Sequence, residues 1–155
     1  MPDSIYCPLR KSWVTALPEE KIRQALVQEM TQRLGYPLGS LALEKSLHQL
    51  PHLQAKPSLP RRRADLIVFA KDLHPRHAFY PLLLVECKAV PLTDKVLRQI
   101  VGYNQFVEAY FVAVVNQTQR YLGWYDPQRQ DFCFQEGLLS YNFLFKWAHQ
   151  LNKIH

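Results

Sequence analysis

A chain of 155 residues, 48% hydrophobic and 21% charged, suffices for one globular core over 1–155 and leaves no room for a second useful domain. No stretch approaches the roughly 20 apolar residues of a membrane span. "MPDSIYCPLRKSW" lacks the apolar run of a signal peptide, so a cytoplasmic protein with no membrane partner is expected. The net charge of +6 favours an anionic partner, nucleic acid before others.

In chain order, "PEEKIRQALVQEMTQRLGYP" (18–37) carries Ile22, Ala25, Leu26, Met30 and Leu34 at helical spacing. Proline and two acids in the first turn and Gly35 after the last predict an amphipathic helix. "SLALEKS" (40–46) alternates as a short strand. Residues 47–62, rich in Pro and His, show no periodicity and read as an irregular loop. "ADLIVFA" (64–70) is a strand, "KDLHPRHAFYP" a polar connection, and "LLLVECK" (82–88) a second strand, so the two should pair antiparallel. "TDKVLRQIVGYNQFVEA" (93–109) opens on Thr93 as N-cap and carries Val96, Leu97, Ile100, Val101 and Val107 on one side. "YFVAVVN" (110–116) is a buried strand, which the preceding helix makes parallel to "LLLVECK". A hairpin ("RYLGWYD", "DFCFQ") and an aromatic-rich helix ("SYNFLFKWAHQL") fill 117–155, and core packing explains most of those aromatics. The expected fold is α/β, with a mixed sheet between helices in the order αβββαβ.

Cys7, Cys87 and Cys133 are odd in number and lack a CxxC pair, which predicts reduced thiols. His48 and His52 are separated by Pro51, and His74 and His77 flank Pro75. Neither pair has a third ligand nearby in sequence, so surface histidines are expected, not a zinc site.

"LLLVECK" raises a question that its neighbours answer. Alternation puts Leu82, Leu84, Glu86 and Lys88 on one face and Leu83, Val85 and Cys87 on the other. A carboxylate and an ammonium thus project together from the end of a core strand. In the antiparallel pair, Asp65 at the start of its strand falls beside them. Two carboxylates suit Mg²⁺, although for an isolated D…ExK a plain salt bridge at a sheet edge is the better reading. Gln99 and Tyr103, four apart, share a helix face, and Arg61, Arg62 and Arg63 stand just ahead of Asp65.

These stretches together ("PEEKIRQ…LGYP", "RRRADLIVF", "LLLVECKA", "QIVGYNQF", "YFVAVVN", about 18–116) resemble the PD-(D/E)XK nucleases, and within them the N-terminal domain of type I restriction enzyme R subunits. The resemblance implies a three-layer α/β/α restriction-endonuclease-like fold. It implies Asp65, Glu86 and the Cys87 carbonyl as metal ligands, with Glu19 completing the set and Glu20 as fallback. Lys88 would stand beside the attacking water, and Gln99 and Tyr103 would hold substrate and lysine. It also implies Mg²⁺ (Mn²⁺ substituting) as cofactor and hydrolysis leaving a 5′-phosphate and a 3′-hydroxyl. On the helix, Glu19 lies nearer than Glu20 to the centre of the Ile22, Leu26, Met30 and Leu34 stripe. Ala64 stands where the family name has proline, and no GxxxxGK[ST] loop accompanies the domain, so ATP-driven translocation does not transfer. The expectation is a Mg²⁺-dependent nuclease acting on DNA with little sequence specificity, RNA being left open. Arg61, Arg62 and Arg63 would contact the backbone, and a homodimer or partner protein is compatible with this reading. The rival is a non-catalytic nucleic-acid-binding or assembly module that kept the fold.

Overall fold

The computed structural model describes residues 3–56 and 58–154. An N-terminal hairpin that the sequence pattern did not reveal pairs β1 (Ser4–Cys7) with β2 (Ser12–Thr15). Its strands are too short for alternation to register. Helix α1 (Pro18–Gln32) follows, with proline in its first turn beside Glu19 and Glu20. It is shorter than the predicted 18–37. Gly35 takes φ +74°, a left-handed conformation that costs glycine little. That reversal buries Tyr36 against the core.

β3 (Leu41–Ser46) pairs antiparallel with β4 (Arg63–His74), and β4 with β5 (His77–Cys87). Helix α2 (Asp94–Val107) crosses over to β6 (Phe111–Val115), which runs parallel to β5 as expected. β7 (Arg120–Asp126) and β8 (Asp131–Glu136) continue the sheet antiparallel, and α3 (Tyr141–Ile154) closes the chain. The six strands lie in the order β3-β4-β5-β6-β7-β8.

Helices cover both faces of this sheet, a three-layer α/β architecture whose α1-β3-β4-β5-α2-β6 order matches the expected αβββαβ. Ile22, Leu26, Val27 and Met30 of α1 and Leu144 and Ala148 of α3 pack on one face with Leu66, Val68, Leu83, Val85 and Cys87. Ile100, Tyr103 and Val107 of α2 pack on the other with Ile67, Leu84, Val112 and Val114. Trp124, Phe145 and Trp147 pack against the first core, as predicted, while Tyr125 and Phe143 remain exposed. Among the described residues no helix is long and apolar enough to cross a membrane.

Three expectations are corrected. The loop at 47–62 contains two 3-10 turns, Leu47–Gln49 and Pro51–Leu53, and Leu47, Leu50 and Leu53 are buried in the second core. Leucines three apart match the three-residue turn of that helix, a period invisible to tests for 3.6 or 2. Pro57, in the same predicted loop, lies outside the described residues. The supposed connection "KDLHPRHAFYP" is strand almost throughout, so β4 and β5 form one long hairpin with His74 opposite His77 at its tip. Finally, Leu82 packs in the first core with Leu83, not with Leu84. The pairing register steps from Val68–Leu83 to Phe69–Pro81, an irregularity that leaves Leu82 without a partner and breaks alternation there.

Candidate functional site

β4 begins where β5 ends, so Asp65 and Glu86 meet at the open end of the long hairpin. Leu66 stands opposite Val85, and the backbone N–H of Cys87 donates to Asp65 Oδ2 at 2.8 Å. The other oxygen of Asp65 accepts from the Arg23 guanidinium at 2.6 Å. A carboxylate offers about four acceptor positions, so Asp65 keeps capacity for further partners.

Glu86 is only 8% exposed, and its Oε1 has no hydrogen-bond partner. Burial, then the neighbouring Asp65 charge, push its carboxyl up to about 7, with Arg62 and Lys88 acting against the rise. Arg62 Nη2 lies 3.8 Å from Glu86, and its guanidinium covers the Tyr103 ring at 4.1 Å. The Tyr103 hydroxyl is also buried without a partner, and burial first of all raises its titration to about 12. Two unpartnered oxygens, one on the end of β5 and one on α2, therefore lie under one arginine.

Lys88 follows β5 half-buried, its backbone N–H bonded to Val115 O at 2.8 Å. Its charge is close enough to oppose the rise at Glu86. The Cys87 side chain points into the first core, 2% exposed, away from Glu86 as strand parity predicted. Burial and the charge of Asp65 push its thiol up. Gln99 is exposed on α2 while Tyr103 is buried. Arg61, Arg62 and Arg63 are all exposed, and of the three Arg62 reaches into the acid pair.

On α1 the burial order of the two acids is reversed from the expectation. Glu20 is 7% exposed and Glu19 is exposed. The apolar stripe misplaced the buried face because α1 also buries Arg23 and Gln24. Glu20 accepts from Gln24 at 2.9 Å, from Arg23, and from Arg10 at 2.9 Å. Arg23 also reaches Glu44 at 3.4 Å. Glu44 itself sits at φ +51°, in a β3 position that the ladder skips between Leu43–Leu66 and Lys45–Ala64. Burial works against the Arg23 charge, but Asp65 and Glu20 outweigh it and its pKa is raised. Glu19 stands outside this network, although its charge still contributes to the rise at Glu86.

Against families of known proteins, residues 18–138 match the model described as Type I restriction enzyme R protein N terminus (HSDR_N). The chain belongs to this family. The match runs beyond the expected 18–116 through β7 and β8. No curated protein and no solved structure matches the chain.

Within this family member, Arg10, Arg23 and Glu44 are the site neighbours that sequence reasoning missed, and Glu20, its fallback acid, is the one that α1 buries. The signal available was the Glu20–Arg23 spacing of three, which places opposite charges on one helix face. Nothing in the sequence tied Arg10, in the turn of the N-terminal hairpin, to that face.

The donor set can be weighed against a divalent cation. Among the described residues, no three His, Cys, Asp or Glu side chains form a group that could hold an ion. Asp65 and Glu86 form a pair. Mg²⁺ commonly takes one or two carboxylates and keeps several waters, and a buried carboxylate oxygen without a partner suits a hard cation. The pair fits that mode of binding.

Proposed function

We propose that this chain is a Mg²⁺-dependent nuclease domain of the PD-(D/E)XK type, serving a restriction system by hydrolysing phosphodiester bonds in DNA. The carrying observation is the acid pair at the open end of the β4–β5 hairpin, with Glu86 Oε1 unpartnered and its carboxyl driven toward neutrality first by burial and then by Asp65. Membership in the restriction-enzyme R-protein N-terminal family supports the reading. The same membership suggests assembly with other subunits.

In this reading Asp65, Glu86 and the Cys87 carbonyl would hold the ion, with Glu19, whose charge is felt at Glu86, completing the shell through water. When bound, Mg²⁺ neutralises phosphate charge and lowers the pKa of water. Lys88 orients the attacking water and steadies negative charge on the phosphate. Tyr103 offers its unpartnered hydroxyl to the lysine or a phosphate oxygen, and exposed Gln99 faces the substrate strand. Arg62, now beside Glu86, would be released to a DNA phosphate once that carboxylate held the ion. Arg61 and Arg63 bind the backbone without reading sequence.

The test is Mg²⁺ titration by calorimetry beside cleavage of linear and circular DNA. Asp65→Asn should lose Mg²⁺ binding and cleavage together. Lys88→Ala should keep the ion and lose cleavage, because an ammonium cannot ligate a metal. A wild-type chain that binds no Mg²⁺ and cuts nothing would overturn the proposal.

One observation favours a second reading. Both oxygens of Asp65 are already engaged, by Arg23 and the Cys87 N–H, as in an acid kept for structure. A non-catalytic DNA-binding or assembly module would show salt-sensitive DNA binding with no metal dependence and no cleavage.

A further inference from the structure

We propose that the groove between the N-terminal hairpin and α1 binds single-stranded DNA, with Trp13 and Tyr6 stacking on unpaired bases. The inference deepens the DNA reading above and rests on it. Tyr6 on β1 and Trp13 on β2 are directly opposed, and their rings meet edge to face with centroids 5.6 Å apart. Trp13 is 70% exposed and Tyr6 46%. So large an aromatic surface is left to solvent while Trp124 and Trp147 pack against the first core. Both rings line a groove of about 690 Å³ whose other wall is α1.

The α1 wall decides what the groove suits. Lys21, Ala25, Gln28 and Gln32, spaced by four, three and four, share the helix face turned to solvent. Lys21 and Gln32 lie roughly 16 Å apart at the helical rise, the length of about five stacked nucleotides at roughly 3.4 Å each. Lys21 supplies charge for a phosphate, and the glutamine amides can donate to and accept from base edges. Among the described residues, no carboxylate lines the groove, so a polyanion meets no like charge on its walls. A protein partner fits this wall less well, because interface cores are depleted in Lys and Ala. Duplex DNA fits less well too. Its bases are already stacked and paired, and an aromatic ring gains a base face only where the strand is open.

The groove is tied to the acid pair. Arg10, in the turn between β1 and β2, donates to Glu20 at 2.9 Å and lies 3.2 Å from Glu44. Both acids also engage Arg23, whose guanidinium holds Asp65 at 2.6 Å. The hairpin that carries Trp13 and Tyr6 is thereby linked to Asp65 through Glu20 and Arg23. Lys11, exposed beside Arg10 in the turn, adds a second cation at that end of the hairpin. An unpaired strand stacked on these rings is thus anchored on the same framework that holds Asp65.

Oligothymidylate is the probe, added to the full chain in chelator so that no strand is cut, with a duplex of equal length for comparison. Single strands should quench the emission of Trp13, and Trp13→Ala should weaken their binding by roughly 5–150-fold, the range of one lost base–aromatic stack. Trp13→Phe, which keeps a ring, should recover most of that loss, and duplex affinity should be the same in wild type and Trp13→Ala. Lys21→Ala should lower the single-strand salt slope by roughly 0.7. Trp13 and Lys21 are exposed, so neither substitution endangers the fold. A chain that passes this test and never cuts DNA with Mg²⁺ loses only the nuclease reading, and one that cuts but fails it keeps that reading. Single-strand binding that is absent, or unchanged in Trp13→Ala, would overturn the proposal, as would an equal loss on duplex. So would Trp13-dependent self-association in sedimentation without oligonucleotide, which would make this face a contact between copies.

Discussion

Replacing Glu86 with glutamine removes a charge that the fold holds against burial and against Asp65. A carboxyl titrating near 7 instead of at its ordinary 4.5 keeps its proton in the folded chain at pH values where the unfolded chain has released it. Stability from this group is therefore complete below about pH 4.5 and is lost as pH rises through about 7. At 1.36 kcal/mol per pH unit, the interval is worth roughly 3 kcal/mol. Glu86 is too buried for solvent to screen much of this. Glu86→Gln should accordingly gain about 3 kcal/mol relative to wild type between pH 4 and pH 8. Urea unfolding of both proteins at several pH values in a chelator measures it. The lowered histidines His52 and His74 act in the opposite sense at acid pH, and subtracting the two profiles cancels them. Mg²⁺ should restore wild-type stability at pH 8 and leave the variant unmoved. A difference flat to within about 0.5 kcal/mol across this range would refute the burial argument.

Arg23→Ala strips the counterion from Asp65, Glu20 and Glu44, and a broken buried pair costs about 3–5 kcal/mol, measurable by denaturant unfolding at pH 7. Gly123→Ala would bring a methyl within 2.5 Å of the Phe134 ring, so a loss of about 1–3 kcal/mol and a lowered Tm are expected from overpacking. Arg61→Ala and Arg63→Ala should each reduce the salt slope of duplex DNA binding by roughly 0.9, read from affinity against salt. Arg62→Ala should in addition move the Glu86 titration upward, because Arg62 opposes that rise, as followed by NMR of the carboxyl.

The layers and central strands were legible because their patterns are local and unmixed. "LLLVECK" reads as a buried strand, and Asp65 meets Glu86 by antiparallel geometry alone. What escaped was whatever depended on charge satisfying charge at a distance. Glu20 is buried because Arg10 and Arg23 reach it, and a hydrophobic stripe cannot show that. Leu47, Leu50 and Leu53 were hidden by a three-residue period. His52, whose ring lies 6.2 Å from that of His77, could not be joined to it from spacing, since the 3-10 turn that positions it was itself unread.

The β4–β5 hairpin also orders events in time. Its tip closes the smallest loop, so pairing that starts at His74 and His77 and spreads outward pays the least entropy at each step. Asp65 and Glu86 come together only at the final rungs, when most of the sheet's local pairing is already made. On that order their mutual repulsion acts late, and relieving it should slow unfolding more than it speeds folding. A chain with this hairpin zipped halfway would hold His74 opposite His77 and have no acid pair.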